Sequence, residues 1–300
     1  MRRARELDWR IDGADWPNRA ASRFVESGGL RWHVQVMGSG PTVLLAHGTG
    51  SATHSWRGLM PLLAARFTVV APDLPGHGFT TAPPGEQMSL PGMAGALSGL
   101  AATMGLRPHL LIGNSAGAAM VIRACLDGAL TGDAIIALNG ALLPLRGFPG
   151  AVFAPAARVL ASLPMVPRLF AWRGGDRAVV ARLLGQTGSR IDAVGVDLYA
   201  RLVASPGHVG AALAMMARWD LAPLAADLPR LRVPLHLVVG TNDRTIAPEE
   251  AMHVRRLLAS ARIERLEGLG HLAHEEQPAK VAGLINRIAE EIVGREGAAA

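Results

Sequence analysis

The chain has 300 residues, 50% of them hydrophobic and 18% charged, which excludes an intrinsically disordered chain and leaves length for one large domain or a domain carrying an insertion. The formal net charge of +6 comes almost wholly from arginine, since Lys280 is the only lysine, and without a recognised module it points to no nucleic-acid partner. A single cysteine, Cys125, excludes an internal disulfide and fits a reducing compartment.

The basic start, Met1-Arg2-Arg3-Ala4-Arg5, is followed by no apolar leader segment, so no signal peptide is expected. No stretch long and apolar enough to span a bilayer escapes interruption by Arg, Pro or polar groups. The expected location is cytoplasmic, and peripheral contact with a membrane surface stays open. Ser22 to Val25 and Leu30 to Val36 bracket Gly28-Gly29 and read as an antiparallel hairpin. Val43–Ala46, Phe67–Val70, Leu110–Ile112, Ala134–Ala137 and Leu235–Val239 are short apolar runs that suit strands buried on both faces of a mainly parallel sheet. Arg262–Leu266 alternates, as a strand near an edge would. Helical segments between these runs give an open α/β sheet covered on both sides.

The rhythm breaks between Arg146 and Arg218. Proline and glycine come first, then helix formers without a strand. The segment carries nine arginines against three aspartates, with Phe148, Phe153, Trp172, Met215 and Met216 among its apolar side chains. One reading is a solvated basic face over an ordinary apolar underside. The other is a lid that grips a large apolar ligand bearing carboxylates, or rests on an anionic surface.

Gly113-Asn114-Ser115-Ala116-Gly117 lies between the apolar run Leu110–Ile112 and a run of helix formers from Ala118 to Ala124. A serine between two glycines on a sharp strand-to-helix turn resembles the nucleophile elbow of the α/β-hydrolase superfamily. That resemblance implies a general base for Ser115 and a carboxylate to orient the base, in the chain order serine, acid, histidine. Asp243, in the loop after Leu235–Val239, and His271, after the last strand, supply both in order. The competing positions are weaker. His274 lacks the preceding glycine that His271 has, and Asn139, at the other acid position of this fold, cannot stabilise an imidazolium as a carboxylate does. The same resemblance assigns the oxyanion donors to the backbone N–H groups of Ala116 and Thr49, the latter in His47-Gly48-Thr49-Gly50. It also reads Asp73-Leu74-Pro75-Gly76-His77-Gly78 as an architectural loop beside the site, and His47 as a brace. It implies a mostly parallel eight-stranded sheet with helices on both faces, a core of residues 1–145 and 219–300, and a helical cap at 146–218.

A narrower match rests on Trp16-Pro17-Asn18-Arg19-Ala20-Ala21-Ser22-Arg23-Phe24-Val25, Gly29-Leu30-Arg31-Trp32-His33-Val34-Gln35 and His47-Gly48-Thr49-Gly50-Ser51-Ala52-Thr53-His54-Ser55-Trp56. These stretches resemble the magnesium-chelatase accessory proteins of bacteriochlorophyll biosynthesis, also called the 30 kDa chelatase subunit. The resemblance implies a role near magnesium insertion into protoporphyrin IX in photosynthetic bacteria, and magnesium-chelatase subunits as partners. It does not specify a reaction. No C-x-x-C, H-E-x-x-H or G-x-x-x-x-G-K-[ST] occurs, so no metal site, cofactor or ATP hydrolysis is expected of this chain itself. Two functions remain: hydrolysis of an ester or other acyl substrate, among them a tetrapyrrole side-chain ester, or non-hydrolytic porphyrin binding. In either, Arg158, Arg168, Arg173 and Arg177 are the candidate partners for porphyrin carboxylates.

Overall fold

Eight strands form one sheet in the computed structural model, which describes residues 5–144, 167, 171 and 176–299, with side chains as far as residue 294. They are β1 (Ser22–Ser27), β2 (Leu30–Met37), β3 (Thr42–Ala46), β4 (Thr68–Pro72), β5 (Pro108–Asn114), β6 (Ala134–Leu138), β7 (Leu235–Gly240) and β8 (Arg262–Leu266). Their order is β1-β2-β4-β3-β5-β6-β7-β8. β1 and β2 form the expected hairpin, β2 pairs antiparallel with β4, and every pairing from β4 to β8 is parallel.

β5 is longer than its apolar run. It begins at Pro108 and so includes His109, which the sequence places before the strand, and it runs on to Asn114, paired with Leu138. The ladder to β3 and β6, and not hydrophobicity, sets its ends.

The principal helices are α1 (Leu59–Leu63), α2 (Leu90–Thr103), α3 (Ala116–Leu126), α4 (Arg177–Gln186), α5 (Ala193–Val203), α6 (Pro206–Ala217) and α7 (Pro278–Ala299). Successive strand residues point to opposite faces, so one strand feeds two cores. Leu44, Leu111, Ile135 and Leu237 pack with α2 and α3, whereas Val43, Leu45, Leu110, Ile112, Ile136 and Val238 pack with α1 and α7. That two-sided burial is why the central strands read as continuous apolar runs. Cys125, on α3, is an inert thiol, pushed up to about 12 by burial.

Between β6 and β7 the described residues contain helices and no strand. Asp192 and Ser205 cap α5 and α6, each accepting from an amide in the first turn. The N-terminal segment is bonded to these helices. Arg201 of α5 donates to both carboxylate oxygens of Asp15 (2.5 and 2.8 Å) and to the Asp12 carbonyl. Glu6 accepts from the Ser205 hydroxyl and the Gly207 amide beside it. Among the described residues no helix is long and apolar enough to cross a membrane.

Candidate active site

Ser115 sits where β5 ends and α3 begins, with φ 53° and ψ −119°. A non-glycine residue is held there only when its surroundings over-determine it. They do so by close contact: a Cβ on Gly117 would lie 2.2 Å from the Ala46 carbonyl oxygen, at the end of β3. The Ser115 amide donates to the Leu138 carbonyl (3.1 Å), and its own carbonyl accepts from Ala141 (3.1 Å). The backbone is thus pinned while the side chain stays half-buried and within reach of solvent. Ala116 is the first residue of α3, where an amide has no intrahelical acceptor. The loop after β3 passes directly over the serine, since a Cβ built on Gly48 would lie 3.1 Å from the Ser115 Cβ. Thr49 follows, its hydroxyl donating to the Met215 sulfur of α6 at 3.5 Å.

His271 and Asp243 come from the loops after β8 and β7 and meet in the interior. The His271 Nδ1 is 2.8 Å from Asp243 Oδ2. The other carboxylate oxygen, Oδ1, accepts from the amides of Thr245 (2.7 Å) and Ile246 (3.0 Å). A carboxylate so engaged presents one fixed oxygen to the imidazole. With Nδ1 donating, Nε2 is the ring nitrogen left to act as a base.

Three polar side chains that the sequence reading did not single out as organisers hold this pair. Asn139, in the left-handed region at φ 47°, donates through Nδ2 to the carbonyls of Gly270 (3.0 Å) and His271 (2.9 Å) and accepts at Oδ1 from the Gly240 amide (2.7 Å). It therefore links the end of β6 to both the acid and the base loops. Asn114, beside the serine, donates to the carbonyls of Leu138 (3.0 Å) and His271 (3.3 Å). Glu276 accepts from the Gly270 amide at 2.7 Å. The available signal was Asn139-Gly140 after a strand, a pair that favours positive φ and local hydrogen bonding.

The model of the alpha/beta hydrolase family matches residues 43–284. The chain belongs to that family. It is 37% identical to the magnesium-chelatase 30 kDa subunit of Rhodobacter capsulatus over 93% of this chain and 98% of the relative. It is 26% identical to the 2-hydroxy-6-oxo-2,4-heptadienoate hydrolase of Pseudomonas putida, over 90% of this chain and 96% of that enzyme. An alpha/beta hydrolase fold protein from Burkholderia ambifaria superposes with a TM-score of 0.75 at 22% identity, covering 88% of this chain and 97% of the other.

Three further histidines of this α/β-hydrolase, His274, His47 and His208, are buried and hydrogen-bonded. His274 packs on the Trp56 ring, with Nε2 2.8 Å from the Ser55 hydroxyl, and burial pushes it down to about 3. His47 bonds the Gly48 carbonyl through Nδ1 (2.8 Å) and accepts from the Leu74 amide at Nε2 (2.9 Å). His208 of α6 accepts from Gly78 at Nδ1 and bonds the Gly50 carbonyl at Nε2, and burial pushes it down to about 4. Asp73 accepts from His33, Thr53 and Phe79. Burial pushes its carboxyl up, but His33, His47 and the Phe79 amide outweigh that and hold it well below the usual carboxylate range.

Arg177 is exposed on α4, with Nε 2.7 Å from Asp197 Oδ1. Arg158, Arg168 and Arg173 lie outside the described residues, as do Phe148, Phe153 and Trp172. Among the described residues no group of three or more His, Cys, Asp or Glu side chains is placed to hold a metal ion.

Proposed function

We propose that the chain is a serine hydrolase acting on an ester or related acyl substrate, with Ser115 as nucleophile, His271 as general base and Asp243 as the group that orients the base. The observation that carries this reading is the 2.8 Å bond between His271 Nδ1 and Asp243 Oδ2, beside a serine fixed on a strained turn. His271 Nε2 takes the hydroxyl proton as Ser115 Oγ attacks the acyl carbon, and Asp243 stabilises the resulting imidazolium. The amides of Ala116 and Thr49 receive the oxyanion. The tetrahedral species expels its leaving group as His271 returns the proton, and a water molecule repeats the cycle to free the acid. This chemistry needs neither a metal nor an organic cofactor.

The substrate is proposed to be a tetrapyrrole carrying a side-chain ester, processed near magnesium insertion into protoporphyrin IX in bacteriochlorophyll biosynthesis. This rests on similarity to a relative named as a magnesium-chelatase subunit. Chelatase subunits are the proposed partners. Residues 146–218 are taken as a cap over a core of 1–145 and 219–300, and Arg158, Arg168 and Arg173 as its carboxylate partners. Arg177, already paired with Asp197, is the weakest of the four.

The relative's name describes an assembly and not a hydrolysis, which favours a second reading: a porphyrin-binding accessory in which the serine is not used. Fluorophosphonate labelling, with and without protoporphyrin IX, separates the two. The hydrolase reading expects covalent attachment at Ser115, its loss in Ser115→Ala, and protection by a porphyrin that occupies the site. Equal labelling of wild type and Ser115→Ala overturns it, and saturable porphyrin quenching without labelling supports the accessory.

A further inference from the structure

Four residues of the inserted segment, Thr187 to Arg190, run between the acid loop and the base loop and bond to both. The Thr187 carbonyl accepts from the His271 amide (3.3 Å) and from the Arg244 amide (3.1 Å), next to Asp243. The Gly188 carbonyl accepts from Asn242 Nδ2 at 2.6 Å, on the other side of Asp243. The Ser189 hydroxyl, buried, accepts from the Leu272 amide at 2.8 Å. The Arg190 amide donates to Glu276 (3.1 Å), whose other oxygen holds the Gly270 amide. Both neighbours of Asp243, His271 itself and both neighbours of His271 are therefore tied to this strap, directly or through one carboxylate.

Gly188 follows the C-cap of α4 at φ 83°, a common place for glycine. Helix termination explains the positive φ but not the fit. A Cβ at this position would lie 1.9 Å from the Asn242 carbonyl oxygen, so any side chain must displace the strap or the loop that carries Asp243. Acid and base come from different strand ends, and about 1 Å of misplacement is enough to cost two orders of magnitude in rate.

We propose that Thr187–Arg190 is a positioning clamp through which the insertion fixes the geometry of the Asp243–His271 pair, with Gly188 and Ser189 as its positioning residues. The clamp deepens the hydrolase reading and rests on it for its consequence in rate. Its structural part, the hydrogen bond between His271 and Asp243, can be observed without any reaction.

The test compares Gly188→Ala, Ser189→Ala and Ser189→Thr with Gly185→Ala. Gly185 lies on the same helix, and a Cβ there meets nothing within 4 Å. Two readouts are taken on each full-length protein: the rate of fluorophosphonate labelling against pH, and the low-field proton resonance of the His271 Nδ1–H in NMR. Gly188→Ala is expected to label about 100-fold more slowly and Ser189→Ala about tenfold, with an altered pH profile and a weakened or shifted resonance. Ser189→Thr, which keeps the hydroxyl, and Gly185→Ala are expected to behave as wild type. Wild-type labelling and an unchanged resonance in both Gly188→Ala and Ser189→Ala overturn the clamp. If wild type itself does not label, the hydrolase reading fails, and the resonance alone decides the clamp. If Gly188→Ala does not fold, Ser189→Ala and its rescue by threonine carry the decision.

Discussion

Ser115 and the Asp243–His271 pair are held in place by different balances of close contact and polar bonding. Ser115 is fixed chiefly by contact, with two backbone bonds added: β5 is buried on both faces, and its turn is forced by backbone packed where no Cβ fits. Asp243 and His271 are fixed by polar bonds that arrive from Asn114, Asn139, Glu276 and the strap at 187–190. Contact of the first kind gathers at one strand–turn–helix unit and the end of β3 packed against it. Bonds of the second kind join loops far apart in the chain, and those made by side chains can be removed singly. Substitutions on the acid–base side should therefore grade activity and stability, whereas those on the elbow should act all or none.

With Ser115, His271 and Asp243 in the proposed roles, the largest effect is expected at Asp243. Asp243→Asn keeps the shape and the two backbone amide bonds but takes away the charge that steadies the imidazolium. Acyl transfer should slow by about three to four orders of magnitude with the melting temperature little changed. Single-turnover kinetics with an activated ester measure it, and an Asp243→Asn enzyme of near wild-type rate would move the acid elsewhere.

Next comes a pH effect in the brace between α6 and the loops over the serine. His208 is neutral when folded and is pushed down to about 4 by burial, against an ordinary value of 6.5. The unfolded chain then binds more protons between those values, so stability is whole above pH 6.5 and falls as pH drops through about 4. The loss from this one group is of order 3 kcal/mol. Denaturant titrations at several pH values should show that slope added to those of the other buried histidines, and His208→Gln should lessen it. An equal slope in the variant would shift the cause to another buried histidine such as His274.

A smaller effect is expected at Asn139. Replacing it by alanine leaves the Gly240 amide and the Gly270 carbonyl without their partner in the interior, and the His271 carbonyl with the longer bond from Asn114 alone. That should cost about 2 kcal/mol of stability, read from chemical denaturation, with a loss of ester turnover that exceeds any change in KM. Unchanged kcat with only lower stability would make Asn139 a scaffold residue with no bearing on the base.

The two kinds of support also differ in how far the sequence discloses them. The strands were legible because burial on both faces imposes apolar runs, and the Ser115 turn because close packing admits only glycine at its flanks. Asp243 and His271 could be placed by their positions after strands. The bonds that hold them could not, because Asn139 reaches a partner 131 residues away and nothing local marks that distance. Asn139 stands at the other acid position of the fold and is instead a hydrogen-bonded link between the two loops. Likewise, nothing in the sequence singles out Thr187–Arg190, whose carbonyls acquire meaning only when both loops lie against them. The start of β5 was misplaced for a related reason. Pro108 and His109 are not apolar signals, and only pairing with neighbouring strands makes them part of the ladder.

The smallest effect is expected at an exposed pair between α4 and α5. Arg177 and Asp197 form an ion pair at 2.7 Å, with side chains 57% and 44% exposed. Water competes for both groups, and salt screens what attraction remains, so exposed pairs of this kind contribute about 0–1 kcal/mol. Arg177→Ala should shift the denaturation midpoint barely beyond error and leave labelling of Ser115 unchanged. The informative measurement is binding. If this arginine is only half of a surface pair, the variant should distinguish protoporphyrin from its dimethyl ester as well as wild type does, by fluorescence quenching. If the preference for the free carboxylates disappears, the guanidinium must exchange Asp197 for a ligand carboxylate, and the basic face of the insertion becomes part of the binding surface.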